Sequence, residues 1–195
     1  HKNSSAGATD WTATAGSEDI DGYYPVSYCP AGSDDIYVVA AKKTTQESLM
    51  FNRSDDGGET WAVAEYALPY AEEAYGIDFI ASACYQVVAK GNDVYVLYGA
   101  NFCDMILMHS DSKGDIGTWT SQVLVNFPID NFDGAAGETT DFDGDGDKDT
   151  IASSDGKLEM IIEDDGTVHV FSGRIRVYDP TTAAGYYYIP KTDGI

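Results

Sequence analysis

The sequence predicts an all-β protein, because helix signals are scarce while short strand-like runs and tight turns are frequent. The chain has 195 residues, of which 43% are hydrophobic, and this is enough for one folded domain of ordinary size. Its 20 glycines and 14 tyrosines, with many threonines, valines and Asp-Gly pairs, are typical of strands joined by hairpin turns. We therefore expect antiparallel sheets.

An internal repeat groups the strands into units. Residues 34–61 align with residues 92–119, because Tyr37 precedes Trp61 by the same number of residues as Tyr95 precedes Trp119. This equal spacing predicts that Leu49-Met50 corresponds to Leu107-Met108. A third, looser copy at 166–195 has His169 in the place of Tyr37. Repeats of about 50–60 residues, each with several short strands, are the sequence pattern of a β-propeller.

Each unit is predicted to form a four-stranded antiparallel blade. Hairpin turns such as residues 90–93 and 163–166 separate apolar runs of strand length. The first strand of each unit is expected to line a central channel. The predicted strands are 24–29, 36–41, 48–53 and 60–68 in the first unit, 84–89, 94–100, 105–110 and 118–125 in the second, and 157–162, 168–173 and 185–190 in the third.

These units lie within a single, partial propeller domain spanning residues 1–195. The blades are predicted at about 20–68, 79–126 and 150–195, and residues 1–19 resemble the last strand of a preceding blade. Closed propellers have about four to eight blades, so about three cannot close a ring alone. We expect the remaining blades to come from further sequence, from a second chain or from copies of this one.

The turn at residues 54–61 carries the pattern Ser-x-Asp-x-Gly-x-Thr-Trp. Its key positions are Ser54, Asp56, Gly58, Thr60 and Trp61. This pattern resembles the Asp-box, or BNR repeat, of sialidases and related propellers. An aspartate can accept hydrogen bonds from turn amides, glycine adopts positive φ, and tryptophan fills the gap between blades. The resemblance implies a structural role for Asp56; residues 110–119 are a degenerate copy that keeps Thr118-Trp119.

Residues 141–149 place an aspartate at every second position. Calcium takes about six to eight oxygen ligands, and alternating acids on a tight loop supply them. Without a cation, five carboxylates so close together would repel one another; a solvated acidic loop is the alternative. The predicted calcium ligands are the side chains of Asp141, Asp143, Asp145 and Asp149 and the backbone carbonyl of Asp147, with the bend at Gly146.

The spacing in this acidic loop is similar to that in the calcium loops of FG-GAP and integrin-type propellers. That resemblance implies an ion that rigidifies a long loop just before a strand, here at 150–154. An EF-hand is a poorer match, because Ala152 stands where its bidentate glutamate belongs and no helices are predicted on either side.

Charge and cysteine content limit the partners. The net charge is −22, from 33 acidic and 11 basic residues, which disfavours nucleic acid and anionic membranes and favours cations. The sequence contains no apolar run of about 18 residues, so no membrane span is predicted. The start at His1 suggests that a signal peptide has been removed, and we expect a secreted or cell-surface protein.

Cys29, Cys84 and Cys103 leave open a Cys84–Cys103 bridge or three buried free thiols.

Catalytic residues are not assigned. The resemblance to sialidases implies three arginines from separate blades, a Tyr/Glu nucleophile pair and an aspartate acid/base. The chain has only Arg53, Arg174 and Arg176, the last two on one predicted strand. The stretch Glu72-Glu73-Ala74-Tyr75 has the residue types of a nucleophile pair but no further support. His109 and His169 lack zinc-ligand spacing and are expected to be structural.

Two functions therefore remain. The first is a calcium-stabilised module for binding, adhesion or structure, with tyrosines at 23–24 and 186–188 as a candidate surface for carbohydrate or another cell-surface ligand. Packing between blades is the alternative role of those tyrosines. The second function is a fragment of a sialidase-like or other glycoside hydrolase whose catalytic residues lie partly outside the chain. The missing arginine clamp favours the non-enzymatic module.

Overall fold

The computed structural model is all-β in the residues it describes. These are residues 22–42, 48–69, 84–129, 132, 141, 143–147, 149–178 and 187–189. They contain three antiparallel sheets and no helix, so no helix there is long and apolar enough to cross a membrane. The predicted fold class is confirmed at this level.

The first sheet has four strands in sequence order, and each strand is antiparallel to its neighbours. All six residues of the third strand are buried, whereas the fourth strand is a mostly exposed edge. A strand covered on both faces loses the usual alternation of apolar and polar residues, as "LMFNRS" shows. The strands are β1 (Gly22–Tyr28), β2 (Ile36–Lys42), β3 (Leu49–Ser54) and β4 (Val63–Ala67).

The second sheet repeats this architecture. Its first two strands are joined by a tight turn at Gly91-Asn92, where Gly91 has a φ of 61°. Its last strand is exposed at all six positions. The strands are β5 (Tyr85–Lys90), β6 (Asp93–Tyr98), β7 (Met105–Ser110) and β8 (Thr120–Val125).

The third sheet has three described strands, in the order β11-β10-β9. They are β9 (Ile151–Ile162), β10 (Val168–Tyr178) and β11 (Tyr187–Ile189). β9 and β10 are longer than predicted, because pairing continues past an irregularity between Ser172 and Arg174. β9 begins directly after the acidic loop, where a strand was expected. The last strand predicted for a preceding blade, at residues 1–19, lies outside the described residues.

Strand register corrects the alignment of the repeat. Tyr37 pairs with Arg53, and Tyr95 pairs with His109, so Arg53 and His109 occupy equivalent positions. Met50 therefore corresponds to Ile106 and not to Met108. The predicted match of Leu49-Met50 with Leu107-Met108 was wrong, because the second unit has a shorter loop before its third strand and a longer turn after it. The two differences cancel in the overall spacing.

The three sheets pack against one another through their first strands. β5 contacts β1 and β2 of the first sheet and also β9 of the third. A large apolar cluster spans the first two sheets and includes Tyr37, Phe51, Tyr85 and Trp119. A smaller cluster joins the second and third sheets, and its buried members are Leu97, Met105, Leu158 and Met160.

Candidate functional site

The first turn, residues 54–61, is held by a network of side-chain hydrogen bonds. Ser54 Oγ accepts the amide of Gly58 at 2.8 Å and donates to Asp56 Oδ1 at 2.8 Å. The Asp56 carboxylate accepts the amide and the hydroxyl of Thr60, at 2.8 and 2.6 Å. Gly57 and Gly58 have φ values of 71° and 87°. The functional groups of Asp56 are thus used inside the turn, as expected for a structural role.

The same network makes the turn sensitive to acid. The hydrogen bonds from the Thr60 side chain and backbone hold the pKa of Asp56 at about 2, below the ordinary value of 3.8. A folded-state pKa below the unfolded one means that the unfolded chain binds the proton more tightly. The contribution of this carboxylate to stability is therefore complete above pH about 4 and is lost as the pH falls towards about 2.

We accordingly expect the melting temperature to fall less between pH about 4 and about 2 in Asp56→Asn than in the unsubstituted chain, because the amide does not titrate. Thermal melts followed by circular dichroism at stepped pH would measure this. Glu159→Gln, which removes an exposed acid on β9, is the control and should behave like the unsubstituted chain. An identical acid-induced fall in Asp56→Asn would contradict the assignment.

The second turn, residues 110–119, keeps only half of this network. Ser110 Oγ accepts the amides of Ser112 and Gly114, at 3.2 and 3.0 Å, and lies 2.6 Å from Thr118 Oγ1. Ser112 occupies the place of Asp56 in the first turn, so the carboxylate acceptor is missing. The serine hydroxyl therefore organises both turns, and the aspartate reinforces only the first.

Arg53 connects the two turns across the sheet interface. Its Nη1 donates to the carbonyl of Lys113 at 2.9 Å and to Asp115 Oδ1 at 2.7 Å, and its Nη2 donates to Asp55 Oδ2 at 3.3 Å. Lys113 Nζ makes a second connection, because it donates to Asp35 Oδ2 at 2.9 Å. The Arg53 side chain is only 11% exposed. It is thus engaged in holding two sheets together, a role that the sequence did not indicate.

The tryptophans of the two turns, Trp61 and Trp119, differ in their surroundings. Trp119 is 5% exposed and meets Phe51 of the first sheet edge-on, with ring centroids 4.9 Å apart. Its Nε1 donates to the carbonyl of Gly114 at 3.3 Å. Trp61 of the first turn remains partly exposed. The gap-filling role expected for Trp61 is therefore seen at Trp119.

The acidic loop, residues 141–149, brings three of its predicted ligands together. One carboxylate oxygen from each of Asp141, Asp143 and Asp149 lies within 4.8 Å of the others. Asp145 is outside this group, and its Oδ1 accepts the amide of Asp147 at 2.8 Å. No contact of the Asp147 carbonyl is described.

Hydrogen bonds between backbone amides and aspartate side chains hold the acidic loop together. The amide of Gly146 donates to Asp141 Oδ2 at 3.2 Å, and the amide of Asp143 donates to Asp149 Oδ2 at 3.1 Å. Gly146 has a φ of 91°, which permits the bend expected there. Oxygens about 2.3–2.6 Å from one Ca²⁺ lie at most about 5 Å apart. The three carboxylates therefore fit a single shell around a calcium ion.

The acidic loop leads into the junction between the second and third sheets. Ile151, the first residue of β9, is buried with Phe127 and Val177. Phe127 follows β8, and its amide donates to Asp104 Oδ1 at 2.7 Å. Phe102 and Phe132 pack against the same cluster, with their ring centroids 5.1 Å apart. An ion in the loop would thus stabilise the entry into β9.

The other predicted site residues fall in separate places. Arg174 and Arg176 share one strand, β10, while Glu72, Glu73, Tyr75 and Tyr186 lie outside the described residues. His109 Nε2 is 2.7 Å from Asp93 and its ring stacks on Tyr95, and His169 Nε2 is 2.7 Å from Glu163. These ring contacts agree with the structural role expected for both histidines.

The structure corrects the expectation for the cysteines and gives the exposure of Tyr23 and Tyr24. None of the three cysteines forms a disulfide, and Cys29 is exposed, so neither a Cys84–Cys103 bridge nor three buried thiols is correct. Burial raises the pKa of the Cys103 thiol to about 12, which keeps it protonated at neutral pH. Tyr23 and Tyr24 are 41% and 44% exposed on β1, and their ring centroids lie 6.0 Å apart.

Comparison of the chain with protein-family models, with curated proteins and with solved structures gives no match in any of the three. The functional assignment therefore rests on the two turns, the acidic loop and the packing of the sheets.

Proposed function

We propose that the chain forms part of a calcium-stabilised β-propeller that acts outside the cell, or on its surface, as a binding, adhesion or structural module. Successive antiparallel sheets whose first strands adjoin support blades arranged around a channel. The equivalent turns after β3 and β7 support a structural repeat. The blades beyond these three would come from further sequence or from other chains.

The observation that carries the proposal is the use of polar side chains for structure. Ser54, Asp56 and Thr60 bond to one another inside one turn, and Arg53 bonds to the next turn. A sialidase-type clamp needs arginines from separate blades that converge on a substrate carboxylate. Here Arg53 is engaged between sheets, and Arg174 and Arg176 follow one another on a single strand. This arrangement favours a module over a hydrolase.

The acidic loop supports the calcium part of the proposal and the extracellular setting. Its clustered carboxylates are solvent-exposed or half-buried. Exposed loops of extracellular modules bind calcium with dissociation constants of about 10⁻⁴–10⁻³ M, which suits the millimolar calcium outside cells. With a net charge of −22, a bound cation would also relieve local repulsion.

Isothermal titration with calcium tests this function. We expect one site on the chain, weakened about tenfold or more in Asp143→Asn, because the amide removes one charged ligand. Glu159→Gln again serves as the matched control and should bind like the unsubstituted chain. Equal calcium affinity in all three proteins would contradict the loop assignment, and turnover of fluorogenic glycosides by the purified chain would contradict the module.

A further inference from the structure

A cavity of about 320 Å³ lies between the second and third sheets. Its floor is formed by Cys103, Met105 and Phe127, which are 8%, 5% and 3% exposed. Val125 of the edge strand β8 is 49% exposed and stands at the mouth. This side of the cavity is apolar, and none of its lining residues belongs to the acidic loop or to either turn. Its volume is at the lower end of the range for small-molecule sites, about 300–1,000 Å³.

The facing wall is polar, but its hydroxyls are already bonded. Ser153 Oγ accepts the amide of Phe102 at 2.7 Å, and Ser154 Oγ and Ser172 Oγ lie 3.1 Å apart. Arg174 completes this wall, and it forms no ion pair with any carboxylate in the described part of the chain. Its guanidinium presents five N–H donors. The cavity therefore combines apolar surface with one cation.

The strand register of the third sheet places a second cation, Arg176, beside the mouth of the cavity. Arg174 pairs with Ser154, and Arg176 pairs with Ala152, which also lines the cavity. Residues two apart on a strand share a face, so the two arginines lie on the same side of β10. Only 11 basic residues occur in this chain, against 33 acidic ones. Two of the 11 thus adjoin one apolar cavity.

We propose that this cavity binds a small monocarboxylate with an apolar body. Its carboxylate would accept two parallel hydrogen bonds from the Arg174 guanidinium, a geometry that matches the planar fork. Its apolar body would lie against Met105, Val125 and Phe127, where burial of apolar surface supplies affinity. The Cys103 thiol on the floor is protonated at neutral pH and adds no charge that would oppose the ligand.

Nearby acids restrict the charge of the ligand. Asp104 bonds to the amide of Phe127, a floor residue, and Asp155 bonds to the amide of Lys157 and lies against Gly173 of the wall. Each carboxylate repels an anion in the cavity, and the repulsion doubles for a dianion. We therefore expect a single negative charge to be accepted and a phosphate monoester dianion to be rejected. This inference depends neither on the calcium loop nor on closure of a propeller.

Titration of the chain with phenylacetate, monitored through backbone amide resonances, tests the proposal. Saturable shifts are expected at Ser153, Ser154 and Ser172. Phenylacetamide, which has the same shape without the charge, should bind about tenfold more weakly or worse, and so should phenyl phosphate. Arg174→Gln should weaken phenylacetate to a similar degree, while Lys157→Gln, which removes an exposed cation of β9, should leave its affinity within about twofold.

Two further variants keep the test decisive. Arg174→Lys retains the positive charge but loses the planar set of guanidinium N–H donors. Its affinity for phenylacetate is therefore expected to lie between those of the unsubstituted chain and Arg174→Gln. Ala152→Phe fills the mouth from an exposed position, and binding should be lost although Arg174 is intact. No saturation at phenylacetate concentrations up to about 10 mM would overturn the proposal. Equal affinity in Arg174→Gln, or equal binding of phenylacetamide, would overturn it as well.

Discussion

Replacement of Trp119 by alanine is expected to lower the free energy of unfolding by about 3–5 kcal/mol. The indole is 5% exposed and packs edge-on against Phe51, so its loss leaves a cavity between the first and second sheets. It also leaves the carbonyl of Gly114 without its donor. Substitution of Gly114 cannot refill this space in the native packing, because an added Cβ would clash with the Phe51 ring.

Urea denaturation of matched variants measures this effect. Trp119→Phe keeps part of the aromatic contact and should lose less stability than Trp119→Ala. Trp61→Ala is the comparison at the equivalent position of the first turn, residues 54–61, and the loss of stability there should be smaller because Trp61 is partly exposed. If Trp61→Ala lowered the free energy of unfolding as much as Trp119→Ala, Trp61 would contribute as much as Trp119 to the packing, and this prediction would be wrong.

Calcium is expected to stabilise the chain by roughly 2.7 kcal/mol when its free concentration is about 100 times the dissociation constant. The reason is that an ion bound to the folded loop, where Asp141, Asp143 and Asp149 converge, would have no comparable site in the unfolded chain. A higher melting temperature in calcium than in chelator is the expected measurement, and the difference should grow with the logarithm of the calcium concentration.

Variants of the acidic loop separate this effect from general screening of the −22 charge. In Asp149→Asn the calcium-dependent rise should shrink, and in Glu159→Gln it should persist. Sodium chloride at matched ionic strength should give little of it, because screening does not require a coordinating loop. A melting temperature that is the same in chelator and in millimolar calcium would argue against the site.

Much of the strand pattern could be predicted from the sequence. The predicted strand at 105–110 coincides with β7, and the other strands of the first two sheets were placed within a few residues. Those predictions depend on alternating apolar residues and on turn chemistry, which act between residues close in sequence. β9 and β10 were predicted too short, because pairing across the irregularity near Arg174 has no local signature.

The hydrogen bonds within the turn at residues 54–61 and the convergence of acids in the acidic loop could be predicted for the same reason. Ser54, Asp56 and Thr60 lie within one turn, and the acids that converge in the acidic loop also lie within a few residues of one another. Donors and acceptors so close in the chain meet whenever the turn closes. The sequence by itself therefore determined the all-β class, the strand order within each repeat and the polar organisation of the loops.

Only the tertiary structure decided which residues act between the sheets. Arg53 bonds to Asp115, and Phe51 meets Trp119, across a large separation in sequence. The equal spacing of the repeat concealed a shift that strand pairing revealed, because a spacing fixes the sum of two loop lengths and not each length. The cavity beside Arg174 likewise has walls from two sheets. Such contacts depend on how whole sheets pack, and local propensity carries no information about that packing.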